Sequence, residues 1–305
     1  METVKFLDVG HGDCAVIYLK NDEGIENTIV IDIPDSEKLL KELQVNNVKA
    51  INCIVISHSD SDHCKGLSDF ISKFSQTGKI EKVVFNFDRT RQTKNQQILL
   101  KQLLESKSKL DISLQLGVLA TEDDQLSLVK TEEVLSIIYP NVAECINPYL
   151  RNNTNNMSIV CLLSGRNSKI LFTGDLEAEG WKNLLGRNKD LRCDVLKMPH
   201  HGAYWESECS IYEIIKHLVP KEVVISTKEN RKYQHPCEST MQILNKQCIG
   251  IYCTQCTSLC HNLEDNEHGY KCRGDISVVE RQDGYDIWTE VDNRKDFRSP
   301  ACLKE

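Results

Sequence analysis

Within six residues, His58-Ser59-Asp60-Ser61-Asp62-His63 presents two imidazoles and two carboxylates. Nitrogen and oxygen donors in that mixture suit divalent cations, from borderline zinc to the harder manganese and magnesium. The run follows INCIVIS at 51–57, apolar enough for a buried strand, and precedes Cys64-Lys65-Gly66 and a helical pattern. A strand that ends in a loop can turn such side chains into one cavity. An ordinary polar turn has no need of two histidines bracketing two aspartates. Further along, Asp175 follows the apolar KILFTG, His200 and His201 follow DVLKMP, and His235 stands in YQHPCES. Asp175 either enters the same cavity, where a carboxylate between two cations would bridge them, or caps the next helix. His235 likewise either meets substrate or begins a helix.

These residues need strands to deliver them, and the periodicity supplies an α/β rhythm. Strand-like runs cover 4–9, 14–19, 28–33 and 51–57, with a helix near 37–46. Strands at 81–86 and 115–120 then flank a helix at 95–106. A second series follows: strands at 158–163, 169–174, 194–199 and 222–227, with helices near 176–185, 208–218 and 237–247, and final strands DISVVE and YDIWTE. The polar stretch 146–156 reads as a loop between the two series.

The 305 residues leave room for one large domain with a small appendage. A net charge of -8 speaks against a generally basic nucleic-acid coat, so an anionic substrate would need local cations. Those are found in 88–94 (DRTRQTK) and 228–232 (KENRK), either of which reads as a polyanion contact or as a solvated loop. No run reaches the roughly 18 apolar residues of a membrane helix, and no secretory leader is visible, so a cytoplasmic protein without membrane contact is expected. Fourteen scattered cysteines fit that reducing compartment.

HSDSDH, together with LDVGHGDC at 7–14, LFTGDLE at 171–177 and LKMPHHGA at 196–203, resembles the metallo-β-lactamase-fold hydrolases. It is most similar to the subgroup containing the nuclease-like domain of bacterial DNA-uptake (competence) channels. The resemblance implies a four-layer αββα sandwich over 1–290, a tail at 291–305, and a dinuclear centre at one edge between two sheets. Its metal ligands would be His58, Asp60, Asp62, His63, a bridging Asp175, and at least one of His200 and His201. Asp60 stands where lactamases carry a second histidine, and Asn156 is nearest to the place of another. An oxygen-richer first position moves preference from zinc toward manganese or magnesium and favours phosphoester over lactam chemistry. The implied reaction is attack on phosphorus by a water activated between two cations. Asp62 fixes an ion, His235 contacts or protonates the leaving group, and His11 and Asp13 orient ligands or water. Lys65 and Asn156 complete the substrate contacts.

A separate signal is Cys253-Thr-Gln-Cys256-Thr-Ser-Leu-Cys260, with Cys272 downstream and His261 or His268 as substitutes. Four such ligands close a structural zinc site, stapling an insertion at 253–272. The expected activity is phosphodiester hydrolysis, as a nuclease. The alternatives are a small phosphoester hydrolase, such as one for cyclic nucleotides or phosphocholine-type esters, and a partner-regulated subunit working with an ATPase in a defence or DNA-processing complex.

Overall fold

The computed structural model describes residues 2–20, 26–86, 94–117, 126–127, 134–141, 144, 153–230, 233–259 and 274–290. The first half contains β1 (Glu2–Phe6), β2 (Ala15–Lys20), β3 (Glu26–Ile31), β4 (Ala50–Ile51), β5 (Cys53–Ile56), β6 (Lys79–Ile80), β7 (Lys82–Phe85) and β8 (Ser113–Leu116). Its helices are α1 (Ser36–Val45), α2 (Ser61–Cys64), α3 (Leu67–Phe74) and α4 (Lys94–Leu110). The second half contains β9 (Leu126–Ser127), β10 (Val134–Tyr139), β11 (Val160–Ser164), β12 (Lys169–Phe172), β13 (Val195–Lys197), β14 (Glu222–Ile225) and β15 (Gly250–Cys253). It adds helices α5 (Ala178–Arg187), α6 (Ile211–Leu218) and α7 (Glu238–Lys246), then the hairpin β16 (Ile276–Arg281) and β17 (Gly284–Thr289).

One sheet runs β17-β16-β1-β2-β3-β5-β7-β8 and the other β15-β14-β13-β12-β11-β10-β9. The C-terminal hairpin therefore returns to the first sheet, where Phe6 pairs with Ile276. Strand alternation builds the layers. Ile29 and Ile31 of β3 face the second sheet, packing in one cluster with Ile170 and Phe172 of β12, while Val30 points the other way among Leu39, Phe70 and Leu103. On the second sheet Val195 and Val224 face inward, and Leu196, Val223 and Ile225 pack under Trp181, Ile214 and Leu244 of the helices. Three apolar layers thus separate four structural ones, αββα.

The helix starts are specified locally. Asp35 caps α1 by accepting from Lys38 N–H, and Ser210 with Glu213 forms a reciprocal capping box on α6. Helix α5 starts at Ala178 with Glu177 at its cap, so Asp175 lies outside the helix and is not its N-cap. Helix α7 likewise starts three residues after His235. Four of the described strands went unread in the sequence: β6, β9, β10 and β15. Among the described residues, no helix is long and apolar enough to cross a membrane.

Candidate metal centre

Three strands that end at one edge of the sandwich lead into polar side chains there. β5 runs into His58 and α2, β12 into Asp175, and β13 into His200 and His201. The two sheets are tied together at this edge, where Ile159 N–H donates to the Ser57 carbonyl, and within the second sheet Asp175 N–H donates to Ser158 Oγ. Gly174 makes the approach possible: it has φ +51, and a Cβ there would meet the Ser57 Cβ at 2.9 Å. Gly12 does the same for the loop after β1, because a Cβ would lie 2.4 Å from the Asp62 carbonyl oxygen.

Asp175 is at the centre, 3% exposed. Its Oδ1 lies 3.2 Å from His63 Nε2 and 3.8 Å from His201 Nε2, while Oδ2 lies 3.8 Å from His58 Nε2 and 3.7 Å from His200 Nε2. Each oxygen therefore faces its own pair of imidazoles. Asp62 joins the first group, with Oδ2 3.5 Å from His201 Nε2. Asp62, His63, Asp175 and His201 can all offer ligand atoms within 4.8 Å of one another.

A dinuclear centre fits these residues. His58 Nε2, His63 Nε2, His201 Nε2 and Asp175 Oδ1 are buried and make no well-aligned hydrogen bond, the imidazole nitrogens facing the Asp175 carboxylate as ion pairs at 3.2–3.8 Å. Leaving such atoms without one costs about 1–3 kcal/mol each. Two cations would engage them all.

The adjacent histidines are split by their backbone. His200 and His201 have φ +47 and +53, two successive left-handed residues where an extended chain would send the rings to opposite faces. Such conformations cost about 1–3 kcal/mol each and are held only by their surroundings. Here His201 Nδ1–H donates to the Ser226 carbonyl at 3.0 Å, and His200 Nδ1 lies 3.2 Å from Glu177 Oε1.

A second ring of contacts orients the donors. Asp32, 1% exposed, accepts from Ser57 N–H at 2.7 Å and from Ser57 Oγ at 2.8 Å, and lies 2.7 Å from His63 Nδ1. That fixes the tautomer with Nε2 aimed at the cleft. Glu177 accepts from Asn153 and Asn155 as well as facing His200. Beneath the site, Lys197 Nζ lies 2.8 Å from Asp13 Oδ1 in an ion pair and donates to the Met198 carbonyl at 3.1 Å, and Asp13 in turn faces His201 Nδ1 at 3.5 Å.

Burial disfavours ionised Asp175, but His63 and His201 outweigh it and hold the carboxyl well below its usual range. Burial also opposes ionised Asp62, and again His201 and His63 prevail. His63 is pushed well above the ordinary imidazole value, because Asp175 and Asp32 overcome its desolvation. Burial, with His63 beside it, drives His58 down to about 4, so its Nε2 lone pair is free at neutral pH. His235 is likewise lowered to about 4 by burial and then by His200, His201 and His11.

The site opens into a cleft of about 980 Å³ lined by His11, Asp60, Lys65, Asn155, Tyr233 and His235 among others. His11 Nε2 lies 3.6 Å from Asp62 Oδ2. Asn156 lies elsewhere: its Oδ1 accepts from the N–H groups of Glu177 and Gly180, at the start of α5, and Asn155 rather than Asn156 lines the cleft. Cys253 and Cys256 are buried, whereas Cys260, Cys272, His261 and His268 lie outside the described residues. So do 87–93 and 231–232, which carry most of the basic stretches, and the tail at 291–305. Sequence reading missed Asp32, Ser57, Glu177, Lys197 and Tyr233. An acidic residue directly after the apolar run Ile29-Val30-Ile31 was the available signal for the first.

No family model matches the chain. It is similar to ComE operon protein 3 of Bacillus subtilis (strain 168), 24% identical over 268 residues that make up 81% of this chain and 31% of that protein. The chain thus spans about a third of the length of that curated relative. Among solved structures, the short form of human tRNase Z is 15% identical, with a TM-score of 0.45 over 75% of this chain and 94% of that one. A diphosphatase from the PhnP family is 13% identical, with a TM-score of 0.44 over 83% and 94%. With its motifs gathered in chain order at one edge of two facing sheets flanked by helices, the chain has the metallo-β-lactamase fold.

Proposed function

We propose that the protein is a metal-dependent hydrolase of phosphodiester bonds, acting as a nuclease. The observation that carries this reading is the division of Asp175, whose two oxygens face His63 with His201 and His58 with His200. Asp62, His63, Asp175 and His201 would hold one cation, and His58, Asp60, Asp175 and His200 the other. When bound, two divalent cations supply Lewis-acid activation of water and of phosphoryl oxygens.

The chain's own residues position and confine the reaction. Asp32 holds the His63 ring, Glu177 the His200 ring, and the Ser226 carbonyl the His201 ring, so three imidazoles reach the cleft pre-oriented. Asp13 and Lys197 form a buried ion pair behind His201. His235, neutral at pH 7, can offer an N–H to a substrate or leaving-group oxygen, and Lys65 at the cleft wall can meet a phosphate. The Asp60 carboxylate in place of an imidazole supports manganese or magnesium as well as zinc. Cys14, Cys53, Cys64, Cys161, Cys193, Cys209, Cys237 and Cys248 are free thiols, six of these eight buried, which supports work in a reducing cytoplasm.

The test is divalent-metal-dependent cleavage of single- and double-stranded DNA and RNA and of bis(p-nitrophenyl) phosphate, with Asp62→Ala and Asp175→Ala in parallel. Activity lost in both variants, together with lowered metal content, supports the reading. A wild type that binds two metals and hydrolyses no phosphodiester sinks it. A second reading, hydrolysis of a small phosphoester, is favoured by the cleft lining, where Lys65 is the one lysine or arginine among the described residues. It predicts rapid turnover of the chromogenic diester and none of nucleic acid.

A further inference from the structure

We propose that the ring of Tyr233 is a stacking platform for the nucleobase beside the scissile phosphodiester, so that the substrate is an unpaired strand. This rests on the phosphodiester reading above and deepens it.

Tyr233 is 47% exposed and lines the metal cleft. A lone exposed aromatic ring is unremarkable, but this one is held in a set orientation. Its plane lies 3° from that of His11, with centroids 5.7 Å apart, and 18° from that of His235, at 6.2 Å. Both imidazoles are themselves seated against the metal centre. His11 Nε2 lies 3.6 Å from Asp62, its ring centroid 4.6 Å from that of His201, and His235 packs edge-on against His200 at 5.3 Å.

The backbone fixes this arrangement. Gln234 sits between Tyr233 and His235 with φ +50, its N–H donating to the Asn230 carbonyl, and Thr227 Oγ1 donates to the His235 carbonyl. A second exposed apolar side chain, Ile98 of α4 at 54%, lines the same cleft. Partly exposed apolar and aromatic surface beside a charged centre suits a ligand that is anionic at one end and flat and apolar at the other. A nucleotide has that shape. Every base offers a π-face, and stacking on an aromatic side chain is tolerant of sequence. In a duplex both faces are already covered, and extruding a base costs a few kcal/mol.

The experiment compares kcat/KM for a single-stranded oligonucleotide cut at a mapped position with that for the same strand carrying abasic residues on both sides of that position. The wild type should prefer the base-bearing strand by about 5- to 150-fold, the span of one base–aromatic stack. Tyr233→Phe should keep that preference and Tyr233→Ala should reduce it to near unity, both with wild-type metal content. Persistence of the preference in Tyr233→Ala, loss of bound metal from that variant, or equal cleavage of the matched duplex would overturn the proposal. A wild type that turns over bis(p-nitrophenyl) phosphate but shows no base preference refutes the stacking role alone. One that hydrolyses no phosphodiester refutes the underlying reading and the platform with it.

Discussion

Lys197 and Asp13 form an ion pair directly behind His201, the lysine 3% exposed and the aspartate 6%. Replacing Lys197 with Met keeps most of the volume and leaves the Asp13 carboxylate buried without its cation. Breaking one side of a buried pair costs about 3–5 kcal/mol. For a domain of this size that is a fall of roughly 6–10 °C in melting temperature, at about 2 °C per kcal/mol. The pH dependence carries a signature. Burial raises the Asp13 value, but Lys197, then His201 and His63, outweigh it and hold the group below the ordinary carboxylate range. A depressed native value contributes stability above the unfolded carboxylate range of about 4, lost as pH falls through the native value. Without Lys197 the push of burial is less opposed, the native value moves upward, and ionised Asp13 destabilises at neutral pH. The deficit relative to wild type should therefore be greatest at pH 7–8 and shrink on acidification. Urea unfolding of chelator-dialysed protein between pH 5 and 8 measures it, with Asp13→Asn/Lys197→Met expected to recover most of the loss. A deficit below about 1 kcal/mol, one that is flat with pH, or a double variant as unstable as the single would each refute the argument.

Asp32→Asn removes the carboxylate that orients His63 and should lower metal affinity by about 10- to 100-fold, read by chelator competition; unchanged affinity would show that the ring is held by packing. Because Asp175 and Asp32 raise His63 in the metal-free protein, metal uptake near pH 7 should expel a proton from it, and affinity should weaken as pH falls. Calorimetry in buffers of different ionisation enthalpy counts that proton, and a count of zero would contradict the assignment. Ser210→Ala breaks the capping box on α6 and should cost about 1 kcal/mol without changing metal content, measured by thermal unfolding and elemental analysis.

The strands that lead to the candidate site were legible because each is a short, mostly apolar run followed by a candidate ligand: Ile56 before His58, Phe172 before Asp175, Lys197 before His200. Strand β15 was overlooked because Gly250–Cys253 is four residues long and merges into the cysteine-rich stretch. Asp32 was hidden by distance along the chain. Its role arises from the parallel pairing of β3 with β5, which sets Ile31 against Val55 and so brings Asp32 to Ser57 and His63. The separate tasks of His200 and His201 depend on two left-handed residues, a conformation that composition does not announce in a pair of histidines. Asn156 was misplaced because a polar residue near a site and a polar residue bonding the start of a neighbouring helix look the same in one dimension.

The return of β16 to pair with β1 has a consequence for biosynthesis. A nascent chain emerging from the ribosome can form the β1–β2–β3 meander early, but the exposed edge of β1 waits for residues near 276. Until then the inward faces of Val4 and Phe6 lack Ile276 and Val278 beside them. Asp175, His200 and His201 also emerge more than a hundred residues after His58 and His63. Loading of a cation by these candidate ligands would therefore follow synthesis of the domain, with metal supply acting on the finished sandwich rather than on its growing N-terminal half.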